Sequence, residues 1–262
     1  MSPGGKYPAA FTHLQSAAKE SMTLTRLSAL ISMLVPCVVA PGHLACCHTP
    51  ADTCEAPSAK SLHVDFQNAP VGTLPNPFTA ALTPALNGAG AAPTWVVIDR
   101  SNPANDRNHV LAQTSTDPTE KRFPLCIYNA LSTTDVTIST MFKPVAGKVD
   151  QAGGVIVRYQ EPGNYYVARA NALEDNVRLY KVQAGVRTQF GAFDTRVTTG
   201  QWHDLTLSVR GTHFLVTFDG KAVIAADDAT FTGPGCCGLW TKADSVTYFD
   251  QIRIQPYHVT QR

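Results

Sequence analysis

Apolar and polar residues alternate at period two through much of the chain. Leu62, Val64 and Phe66 open the pattern; Val136, Ile138, Thr140 and Phe142 repeat it, followed by Leu205, Leu207 and Val209, then by Val246, Tyr248, Ile252 and Ile254. Successive side chains of a strand point to opposite faces, so each run predicts a strand with one buried face and one wet face. The runs are enriched in β-branched and aromatic residues, which favours the same reading. Turn chemistry separates them. Glu161-Pro162-Gly163-Asn164 places Pro and Gly where a type II turn wants them. Asp219-Gly220, between two apolar runs, signals a two-residue hairpin, and Gly185 and Gly211 mark two more reversals, giving four hairpins between residues 153 and 227. No window after residue 61 reads as a capped amphipathic helix, and no internal repeat is present. The expected architecture is an all-β, antiparallel two-sheet sandwich.

Residues 73–106 are less regular. Pro75, Pro77, Pro84, Pro93 and Pro103 interrupt them, so one strand, Trp95–Asp99, is expected there and the remainder is read as loop over the sandwich edge. Two tracts near the C-terminal end are the most informative. Residues 164–171 lead into residues 176–180, and residues 238–244 lead into residues 248–250. Both read as strands with one apolar face and one face of polar and aromatic groups.

Composition adds context. In 262 residues, 21 Lys and Arg stand against 20 Asp and Glu, and no charge run exists to recruit nucleic acid or an anionic surface. Residues 27–40 are apolar, follow Arg26 and are too short for the roughly 20 residues of a membrane span, so they suit an export signal. Met22 makes a more conventional start for it than Met1. The expected organisation is an export region at 1–45, a Pro- and Cys-rich tether at 46–60 and a folded domain at 61–258, placed outside the cytoplasm. Leu44-Ala45-Cys46-Cys47 resembles a lipoprotein cleavage site without matching it, which makes Cys46 or Cys47 a candidate lipid anchor. In an oxidising compartment Cys54, Cys126, Cys236 and Cys237 become candidates for pairing, in a connectivity that sequence leaves open.

The stretches Gly153 to Tyr159, Asn164 to Arg169, Trp202-His203, Phe218-Asp219-Gly220, and Gly238 to Asp244 ahead of Phe249-Asp250 resemble the concanavalin A-like, laminin-G-like jelly rolls. Within these they are most similar to the 3-keto-disaccharide hydrolase-like domains. The resemblance spans residues 61–257 and is strongest from Gly153 onward. It implies a jelly-roll sandwich that meets carbohydrate on its concave sheet, and for its named members the cleavage of oxidised sugars. Related jelly rolls hold a structural calcium between first and last strands, for which Asp65 and Asp250 are the candidates here.

Retaining glycosidases need two carboxyl groups about 5 Å apart. The Glu-x-Asp-x-x-Glu strand motif of laminarinase-like jelly rolls is absent, and Glu120, Glu161 and Glu174 are the glutamates of the domain. The family label implies another route, in which a base removes the acidified C2 proton of a 3-keto sugar and the glycosidic oxygen leaves. Lys242 and Asp244 are the catalytic candidates. Alternation places Trp240, Lys242 and Asp244 in one row, a flat ring beside charged groups, as a sugar requires. Arg158, Arg169, Asn171, Asn176 and Arg178 are the further candidates for substrate binding. Each set has a plainer reading: a cross-strand ion pair beside a packed Trp, and a solvated sheet face. Three functions therefore stand side by side: recognition of a glycan or 3-keto sugar, 3-keto-glycoside hydrolysis, and a structural or protein-binding module.

Overall fold

The computed structural model describes residues 60–84, 90–100 and 109–257, so the region expected to direct export, and Cys46, Cys47 and Cys54, lie outside the described residues. Along these runs there are β1 (Leu62–Val64), β2 (Phe78–Leu82), β3 (Trp95–Asp99), β4 (His109–Gln113), β5 (Pro124–Thr133), β6 (Val136–Ala146), β7 (Ala152–Glu161) and β8 (Asn164–Asn171). They continue with β9 (Asn176–Gln183), β10 (Val186–Asp194), β11 (His203–Arg210), β12 (His213–Phe218), β13 (Lys221–Asp227), β14 (Gly235–Trp240) and β15 (Val246–Pro256). One sheet runs β13-β12-β11-β6-β15-β4-β3, with β1 also on β15; the other runs β10-β9-β8-β7-β14-β5-β2. All pairings are antiparallel. The fold is the expected all-β jelly-roll sandwich. Among the described residues no helix is long and apolar enough to cross a membrane.

The hairpins follow their turn residues. Asp219 and Gly220 take φ of 45° and 76° between β12 and β13, as a two-residue turn with two left-handed positions demands. Ala184 and Gly185 do the same between β9 and β10, at 49° and 78°. The 161–164 turn corrects the expectation: Gly163 does not take the positive φ that type II requires, although Glu161 and Asn164 do pair. A second strand also lies in the irregular segment. β2 pairs with β5 throughout, and its Thr-Ala-Ala centre hid it because small residues carry little β signal.

The alternation becomes two apolar layers. Leu239, Tyr166, Val177, Leu179, Val155, Cys126, Phe142 and Phe249 fill the space between the sheets. Their neighbours on the same strands, Trp240, Tyr165, Val167, Tyr180, Val182, Ile156, Leu125 and Ile127, form a separate buried cluster on the outer face of the β10-to-β2 sheet. Tyr165 and Tyr166 thus face opposite ways, and both are buried. Cys126, Cys236 and Cys237 are free thiols. Burial raises all three, Cys237 to about 12.

Candidate functional site

The outer face of the β10-to-β2 sheet is covered at one end and polar at the other. At the covered end Phe123 stacks on Trp240 with centroids 5.4 Å apart, and Thr83 Oγ1 and the Tyr165 hydroxyl share a 2.7 Å hydrogen bond. Arg122 fixes this cover. Its Nη1 donates to Ala243 O at 2.7 Å, its Nε to Ala91 O at 2.8 Å and its Nη2 to Ser115 Oγ at 3.0 Å. Trp240 is consequently fully buried, and its ring serves as packing rather than as a surface platform.

The polar end gathers residues from β8, β9 and β10 and from three connecting segments. Arg169 on β8 donates through Nη2 to Glu174 Oε2 at 2.7 Å and to the Tyr180 hydroxyl at 3.1 Å, and through Nη1 to Asn176 Oδ1. Asn171, two residues along the same face, donates to Asp150 Oδ1 at 2.7 Å. The other oxygen of Asp150 pairs with Lys242 Nζ at 2.5 Å. Gly154 lies opposite both Trp240 and Arg169, and a Cβ there would stand 2.8 Å from Ala168 O and 3.0 Å from Arg169 Cβ, so the close approach of β8 requires glycine. Arg187 reaches in from the edge strand β10 and lies over Tyr180, Phe123 and Trp240.

Electrostatics follow from this packing. Burial pushes the Asp150 carboxyl up, opposed by Lys242. Burial also opposes ionisation of Glu174, but Arg169, Asn176 and Lys242 outweigh it and hold that carboxyl below its usual range. The Arg187 guanidinium is lowered by burial.

Of the candidates read from sequence, Arg169, Asn171, Asn176 and Lys242 come together here. Asp244 departs from the expected row. β14 ends at Trp240 and Ala243 takes a φ of 48°, which breaks the alternation. The Asp244 carboxylate accepts the backbone amides of Lys148 at 2.7 Å, Val149 at 3.1 Å and Asp150 at 3.0 Å. These amides overcome burial and hold it below the ordinary carboxylate range. Arg158 also leaves the face. A bulge follows Val157, Arg158 takes a φ of 49°, and its fully buried guanidinium donates to Thr134 O, Phe231 O and Gly211 O and pairs with Asp135 at 3.2 Å. Arg178 stays on the face but at its rim, bound to Asp194 at 2.6 Å. Asp150, Glu174, Tyr180 and Arg187 were missed: Asp150 stands in a loop, Glu174 in a turn, and Arg187 on an edge strand with no clear alternation.

The calcium expectation does not fit the donors. Burial raises Asp250, with Asp65 adding to the effect. Each already accepts a backbone amide, from Gln67 and Gln251 respectively, and among the described residues no group of three or more His, Cys, Asp or Glu side chains gathers anywhere. Two engaged carboxylates are a thin set for an ion that takes six to eight oxygens.

No family model matches the chain, and no curated protein matches it. Among solved structures it is similar to the carbohydrate binding module CBM66 from Bacillus subtilis, at 21% identity and a TM-score of 0.52 over 63% of this chain and 93% of that one. It is also similar to the carbohydrate recognition domain of Emp47p, at 10% identity and a TM-score of 0.50 over 76% of this chain and 95% of that one. At these identities the likeness establishes the sandwich fold.

Proposed function

We propose that this chain is an exported carbohydrate-recognition domain whose ligand sits at the polar end of the outer face, against Arg169, Asn171, Asn176, Tyr180, Arg187 and Lys242. The observation that carries this reading is the ordered network of Arg169, Glu174, Asn176 and Tyr180 beside the Lys242-Asp150 pair, at the border of an aromatic cluster. Sugars are bound by such fixed donors and acceptors next to apolar ring faces. The names of the two similar structures support the same class of ligand. The export part of the proposal rests on residues 27–40. A glycan array probed with the purified protein, followed by calorimetry on the hits, tests the reading. Binding that Arg169→Ala removes, with the fold intact by circular dichroism, is the expected result; no binding to any glycan would defeat it.

A second reading is cleavage of a 3-keto-glycoside by elimination. Asp150 favours it, since a carboxyl raised by burial and paired with Lys242 has the character of a proton-transfer group. Asp244 does not serve as the base, because its oxygens hold backbone amides. Release of aglycone from a 3-keto-glucoside, with and without added divalent metal, decides the matter: turnover supports catalysis, and none in either condition leaves recognition as the function.

A further inference from the structure

The cations of the outer face are matched one by one, except for Arg187. Arg169 pairs with Glu174 at 2.7 Å, Lys242 with Asp150 at 2.5 Å and Arg178 with Asp194 at 2.6 Å. Arg187 has no ion pair or hydrogen bond among the described residues, and its Nη1 is buried without a partner. Its guanidinium carbon instead lies 4.4 Å from the Tyr180 ring centroid, 4.8 Å from that of Phe123 and 5.8 Å from that of Trp240. A half-buried guanidinium with an unsatisfied donor is unfavourable unless something meets it. The three rings hold it in place through their faces and bury Nη1, which leaves the Nε and Nη2 donors as the available edge. Arg169 adds to the cost of its charge while Tyr180 and Asp150 offset part of it, and Arg187 remains the one of these four cations without an ion pair among the described residues.

Such a fork is shaped for an oxyanion. A planar guanidinium meets a carboxylate or a sulfate through two parallel hydrogen bonds in which both partners are charged, whereas a sugar hydroxyl offers it one oxygen and no charge. Neutral sugar hydroxyls would leave the charge of Arg187 uncompensated.

We propose that the glycan taken by this face is acidic, and that Arg187 binds its anionic group, the carboxylate of a uronic acid or the sulfate of a sulfated sugar. The proposal rests on the carbohydrate reading above and specifies its ligand class.

The test uses oligouronides, their carboxyl-reduced neutral counterparts and sulfated oligosaccharides, each titrated into the purified protein by calorimetry. At least one acidic series should bind about tenfold or more tightly than its neutral counterpart, the size expected for a charge-assisted bond. That preference should shrink as salt is raised. Whether the uronide or the sulfated series shows it identifies the anion. Arg187→Met keeps an unbranched apolar cover over the rings, so it should preserve the melting temperature and lose the preference for the acidic series. Equal binding of acidic and neutral series, or a preference that survives in Arg187→Met, overturns this proposal and leaves carbohydrate recognition standing. No binding in any series removes both. The acid-against-neutral comparison on the unaltered protein decides the question even if the variant fails to fold.

Discussion

Lys242 and Asp150 lie 2.5 Å apart as an ion pair, with the Asp150 side chain wholly buried and that of Lys242 12% exposed. A nearby carboxylate ties together the two segments that carry them. Asp244 follows Lys242 by two positions, and its carboxylate accepts the amide of Asp150 at 3.0 Å and that of Lys148 at 2.7 Å. Gly147 opens this loop with a φ of 147°, and a Cβ there would lie 1.8 Å from the Asp150 carbonyl oxygen. The loop therefore has one conformation, and the pair is fixed by backbone as much as by charge.

Removing one partner of this pair should cost more than removing both. Lys242→Met leaves the Asp150 charge buried alone, a loss of about 3 to 5 kcal/mol, while adding Asp150→Asn should restore most of it. Because burial raises the Asp150 pKa, folding favours its protonated form, so the deficit of Lys242→Met should be largest at neutral pH and shrink on acidification. Chemical denaturation of the single and double variants across pH measures this; equal losses would show that the pair contributes nothing.

Asp244→Ala removes an acceptor from three backbone amides and should lower stability by about 2 to 3 kcal/mol. The pKa of Asp244 is depressed on folding, so its contribution is present above the unfolded value near 3.9 and lost as pH falls through the lower folded value. The variant should therefore show a flatter acid limb in a stability profile below about pH 4. Glycan affinity should fall with it, since the Asp150 loop loses its anchor.

Trp240→Ala should act on the fold. The ring is fully buried against Phe123, so its deletion should cost about 3 to 5 kcal/mol of stability. A surface platform would behave in the opposite way, losing ligand with an unchanged melt, and thermal unfolding beside calorimetry separates the two.

Arg158→Met leaves an Asp and three carbonyls without their donor, at a cost of about 3 kcal/mol. The folded variant should keep its glycan affinity within about twofold, because Arg158 has turned away from the outer face. A selective loss of binding at unchanged stability would return Arg158 to the site.

The sandwich was legible in residues such as Leu205, Leu207 and Val209, whose alternation survives as one buried face of β11. The site was legible in part. Arg169 and Asn171 follow from their spacing with Tyr165 and Val167 on a regular strand. Arg158 and Asp244 were misplaced because a bulge and a left-handed Ala243 each end the alternation, and neither leaves a sign in hydropathy. Arg187 was missed because an edge strand lacks a two-faced pattern.

The sequence by itself determined the strands, most of their turns and the faces of their regular stretches, since these depend on neighbours two to four residues apart. Tertiary structure decided which of those faces are open. Phe123, 117 positions before Trp240 in the numbering, closes the indole from solvent, and Arg122 holds that cover through carbonyls of Ala91 and Ala243. Exposure is set by segments remote in the chain, and the charge balance that leaves Arg187 unmatched exists only once β8, β9, β10 and the 147–152 loop meet.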